Sequence, residues 1–178
     1  MPIAAASDAF ALHLRSRLEA AGALEGWAVE SKTLRDARAG PDNLVALVLW
    51  RVQPDEPSAD SAPLRAASQA DPPEGTGLKL RYLLLVRGAT AADEQRMLGY
   101  CMAALDQNPV VGDRDMPGGL SAEALVVAAE TPPDEAYLRL IGLCGDPPPL
   151  LVPYVVRSVP LIPPAAGRIP GRPGTAAP

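Results

Sequence analysis

Apolar residues at Phe10, Leu14 and Leu18 fall four apart, the spacing of one helical face. They predict a first helix from an N-cap at Ser7 through Ala21, which completes the stripe, with Gly22 as its stop. Arg15 and Glu19 sit one turn apart as weak surface support. The period then switches to two: Trp27–Thr33 alternates like a half-buried strand. After a polar link with Gly40-Pro41-Asp42, Leu44–Val52 is almost wholly apolar, as expected of a central strand covered on both faces. Leu78–Arg87 alternates again. Leu78, Leu80, Tyr82, Leu84 and Val86 lie on one side; Lys79, Arg81, Leu83, Leu85 and Arg87 lie on the other. Thr90 and Asp93 have capping-box spacing, and Asp93 and Glu94 suit a helix N-terminus. Leu98, Cys101, Met102 and Leu105 make the apolar stripe of that helix, and Asn108-Pro109 ends it.

The remaining stretches carry weaker patterns. Gln53–Gly77 holds five prolines and predicts a long loop between two neighbouring antiparallel strands. Pro109–Gly119 reads as a turn-rich link. Its Asp113, Asp115 and Gly118 loosely match a calcium loop, but the distal ligands are missing, so a solvated turn is the better reading. Glu123–Glu130 is a strand or edge segment, and Asp134–Gly145 a short helix with Leu138, Ile141 and Cys144 inward. Leu150–Ile162 is a last strand, which Pro153 and Pro160 assign to an edge or a bulge. The fold expected is a single α/β (α+β) domain over 1–162, a mostly antiparallel sheet with helices packed on it. Residues 163–178 form a disordered Pro/Gly-rich tail.

Composition narrows the function classes. A net charge of −5 and a pI near 4.9 argue against a nucleic-acid partner, which requires a basic surface. The longest apolar run is too short to span a bilayer, and the N-terminus lacks the basic region of a signal peptide, so a cytoplasmic origin is expected. Cys101 and Cys144 read as buried free thiols, with a disulfide left open. The catalytic inventory is thin. The one histidine, His13, reads as a surface or partly packed residue, with no nucleophile placed beside it. One histidine and two distant cysteines do not make a zinc site, and neither Gly75-Thr-Gly77 nor Gly118–Ser121 has the context of a phosphate loop or nucleophile elbow. No catalytic, cofactor-binding or metal residues are assigned, and an enzyme is not expected. The competing classes are an enzyme or ligand-binding domain whose site sequence cannot assemble, and a monomeric adaptor.

The stretch from Leu80 to Val110 resembles the hallmark region of cap proteins from extracellular contractile injection systems. Leu80, Tyr82, Leu83, Leu84, Glu94, Leu98, Gly99, Leu105, Pro109 and Val110 match the family's pattern, and the likeness extends over Ala6–Leu161. The chain departs from it at 121–145, where the family's tryptophan-bearing helix start is replaced by PPDEAYLRLIGLCG. The resemblance implies a phage tail-terminator-like fold and a six-fold ring that ends the inner tube and sheath. The implied partners are further copies of itself, tube and sheath, with incorporation into a particle that can be released. Candidate contacts are Pro63, Leu64 and Arg65 in the proline-rich loop, with Arg81 and Arg87 on the strand.

Overall fold

A computed structural model describes residues 2–55, 77–112, 115–116, 125–131, 134–144 and 149–160. The elements are α1 (Pro2–Ala20), β1 (Ala28–Ser31), α2 (Leu34–Ala39), β2 (Leu44–Pro54), β3 (Gly77–Arg87), α3 (Ala91–Gln107), β4 (Val110–Val111), β5 (Leu125–Ala129), α4 (Asp134–Cys144) and β6 (Leu150–Pro160). Six strands make one sheet in the order β1-β2-β3-β6-β5-β4, antiparallel throughout except for β1 beside β2. The mostly antiparallel α/β expectation holds.

That one parallel pair explains a missed element. A parallel connection must carry the chain back across the sheet, and such crossovers need a dozen or more residues. The expected polar link therefore holds α2, capped by Thr33, whose hydroxyl accepts the Asp36 amide. The alternation of β3 divides the core as expected. Leu78, Leu80, Tyr82, Leu84 and Val86 join Phe10, Leu14 and Leu18 of α1 and Met97, Cys101 and Leu105 of α3. Leu83 and Leu85 face the other way, with Leu44, Ala46 and Val48 of β2, Ala37 of α2 and Cys144 of α4. The first half of β2 is thus covered on both faces, while Val52 near its end is exposed.

The helices differ from expectation in detail. Ser7 lies inside α1, where its hydroxyl donates to the Ile3 carbonyl, and the buried stripe runs back to Ala6 and Ala9 while Ala21 is exposed. Gly22 does end the helix. With φ at 67° it lets its own amide reach Glu19 and the Ala23 amide reach Leu18, the paired bonds of a Schellman stop. Arg15 leaves Glu19 and donates to the Val29 carbonyl at 2.8 Å. On α3 the buried stripe is Met97, Cys101 and Leu105, with Met102 exposed. On α4, Leu138 is exposed and Cys144 buried.

Thr90 caps α3 by accepting the Asp93 amide at 3.2 Å. The return bond differs from a capping box: Asp93 accepts the Thr90 hydroxyl at 2.6 Å, and Glu94 reaches the Gly88 amide. Thr90→Ala should cost about 1 kcal/mol, read as a lower urea midpoint with unchanged slope. An unchanged midpoint would mean that the cap is not holding the first turn.

β6 corrects a stronger expectation. It is central, between β3 and β5, despite Pro153. Pro153 accepts from the Glu130 amide just past the end of β5, so its hydrogen-less nitrogen faces the side where that ladder stops. The other half of the expectation stands, because the β3–β6 register shifts between Leu78 and Leu80, which makes β6 bulged near Arg157.

Candidate interaction surface

The most chemistry-like cluster is buried. α1 places His13 at 0% exposure, with Nδ1 2.7 Å from Asp115 Oδ2 and Nε2 2.9 Å from the Asn108 carbonyl. Arg17, one turn on, lies 3.7 Å from the same carboxylate oxygen. His13 is therefore not a surface residue, and Asp115 is not in a solvated turn; Asp113 lies outside the described residues. Both ring nitrogens meet acceptors, so the ring keeps none free for a substrate in this arrangement. What the cluster does is mechanical: it ties α1 to the end of α3 and to the turn beyond it.

The thiols are equally enclosed. Both cysteines are free and buried, on opposite faces of the sheet, which closes the disulfide option. Burial pushes the Cys101 thiol up to about 12, and burial also raises that of Cys144, so neither is a ready thiolate. Among the described residues no group of three or more His, Cys, Asp or Glu could hold a metal ion. An open hollow of about 360 Å³ lies between the first turn of α3 and α4, and its polar lining is Glu94 and Gln95.

The proposed contact residues are scattered. Pro63, Leu64 and Arg65 lie outside the described residues, as do most of the long loop and the tail. Arg81 and Arg87 share one face of β3 but stand six residues, roughly 20 Å, apart. Arg87 is tied down, donating to the Arg38 carbonyl and lying 3.6 Å from Asp42. Arg81 sits over the Trp50 ring, 5.9 Å from its centroid, and pairs with Glu130 at 2.9 Å. Sequence reasoning missed Trp50, Glu130 and Arg157 beside it. Trp50 looked like core because it ends an apolar run, and only the strand register brings Arg157 onto the face of Arg81.

The likeness to known proteins decides the family. The profile of the Pvc16 N-terminal domain matches residues 9–173, nearly the whole chain. The chain belongs to the Pvc16 N-terminal domain family. Among solved structures, the fold is similar to the sheath/tube terminator of PVC, an extracellular contractile injection system, in its extended state. The TM-score is 0.60 at 16% identity, covering 98% of this chain and 62% of that one. At that identity the likeness is one of fold, and this chain spans less than two thirds of the terminator's length. No curated protein gives a significant match. Among the described residues, no helix of this Pvc16-family chain is long and apolar enough to cross a membrane.

Proposed function

We propose that this Pvc16-family chain is a structural terminator of a contractile injection system, ending the inner tube and sheath as a ring of six copies. The observation that carries the reading is the family match over residues 9–173, joined to the fold shared with a sheath/tube terminator. The enclosure of His13 and both thiols suits a non-enzymatic scaffold. The partners are then copies of itself with tube and sheath proteins, and the acidity of the chain disfavours nucleic acid. In this reading it is made in the cytoplasm and built into a particle that can be released. Pro63, Leu64, Arg65, Arg81 and Arg87 are the contact residues in this reading.

The test is reconstitution with the tube and sheath proteins of the same system. Particles of uniform length with a six-fold density at one end are expected when the chain is present, and tubes of uncontrolled length when it is omitted. A monomer that leaves tube length unchanged would sink the reading.

A further inference from the structure

The sheet has one half-face that no described helix covers. α2 and α4 pack beside Leu44, Ala46, Val48, Leu83 and Leu85. Further along the same face, the strand register brings together Trp50 of β2, Lys79 and Arg81 of β3, Arg157 of β6 and Glu130 just past β5. The register also sets Arg51 opposite Arg81 and Asp55 opposite Gly77, so this patch is positive within a chain of net charge −5, with four cations against two carboxylates.

Its polar atoms are incompletely matched. Five buried side-chain polar atoms among the described residues have no hydrogen-bond partner, and four are here: Trp50 Nε1, Arg81 Nε, Arg157 Nε and Glu130 Oε2. A buried polar atom without a partner loses its hydration and gains nothing in return, so a cluster on one face is a concentrated deficit. Three of the four are donors. Among the described residues, Arg157 and Lys79 make no ion pair, whereas Arg81 is braced between Trp50 and Glu130. A half-buried guanidinium with no ion-pair partner among the described residues, beside a second one held rigidly, is suited to accept a carboxylate.

We propose that this half-face is a docking site for an acidic peptide segment of another protein chain. Its carboxylates would pair with Arg157 and Lys79, and its backbone would lie against Trp50 and the stem of Arg81. Charge complementarity selects that occupant. Phosphate chains are the less suitable partner, because the rest of the protein is acidic and would repel an extended polyanion. The inference rests on the terminator reading only for which chain supplies the segment.

The test uses the full chain with Trp27→Phe, so that Trp50 is the one fluorophore of its kind. Titration with a glutamate-rich peptide should shift Trp50 emission saturably, more strongly at low salt, and the glutamine analogue should not. Arg157→Gln should weaken binding at least about tenfold, and Lys79→Gln by less. Arg96→Gln, on the exposed side of α3, should leave binding unchanged. Equal affinity in Arg157→Gln, no saturable shift, or tighter binding of a single-stranded oligonucleotide than of the peptide would each overturn the proposal. Melting curves of the variants exclude loss of fold as the cause. Because the titration needs no tube or sheath, uncapped tubes would sink the terminator reading and leave this result standing. A silent Trp50 would sink this inference alone.

Discussion

Tyr82→Ala should destabilise the fold by about 4 kcal/mol, among the largest single-residue losses expected. Tyr82 is fully buried in the middle of the central strand β3, and its ring meets Phe10 of α1 edge-on, with centroids 5.3 Å apart. Truncation therefore opens a cavity between sheet and helix at the point where both are least able to collapse. Its hydroxyl adds a directional element. Ser7 spends its one hydrogen on the Ile3 carbonyl, so the 2.7 Å contact must be Tyr82 donating to Ser7. Ser7→Ala leaves a buried donor without an acceptor and should cost more than Tyr82→Phe, which removes that donor altogether. Burial also pushes the Tyr82 hydroxyl up to about 12, above the ordinary value of 10 that it regains on unfolding. The folded state thus holds this proton longer than the unfolded chain does. The corresponding stability is complete below pH 10 and is lost as pH rises toward 12. Urea unfolding across that range should show the decline, and Tyr82→Phe should make it shallower. A loss under about 1 kcal/mol for Tyr82→Ala would contradict the packing described.

Asp115→Ala should cost about 3 kcal/mol, because it takes the charged partner from a fully buried imidazole and from Arg17 together. His13→Leu alone strands the carboxylate instead. In the double variant neither the imidazole nor the carboxylate is left without the other, so its loss should fall short of the sum of the single losses by about 1–3 kcal/mol. Urea midpoints of the four proteins close the cycle. Losses that add to within about 0.5 kcal/mol would mean that the 2.7 Å contact contributes little.

The contrast between these residues shows what sequence could carry. Tyr82 announced its burial through the period-two alternation of Leu78–Arg87, a local property of the chain. Phe10, Leu14 and Leu18 did so through a local period of four. His13 and Asp115 are 102 positions apart, and nothing local marks either as the other's partner. Pro153 misled for a related reason. A proline is excluded from a strand only where its nitrogen faces a living ladder, and where β5 stops is set by tertiary register. α2 was hidden because whether β1 runs parallel or antiparallel to β2 decides if a crossover is needed. Its capping pair, Thr33 and Asp36, was visible in the sequence and went unread. The candidate surface was half legible. Arg81 was identified as a contact residue, but Trp50, Glu130 and Arg157 join it only through pairing between β2, β3, β6 and the end of β5.

The bond from Arg15 to the Val29 carbonyl bears on how copies of this chain can associate. In β1 the groups of Ala28 and Lys32 face β2, so by alternation those of Val29 point away from the sheet. An outer carbonyl of that kind is the first handhold for a strand from another molecule, and here a guanidinium already occupies it. At the opposite margin β4 offers two residues, too few to template a ladder. Strand-upon-strand addition has no natural end point and runs to fibres. A sheet plugged on one flank and cut short on the other is poorly suited to that runaway growth, and so favours association through faces and loops, where a closed count of subunits is geometrically attainable.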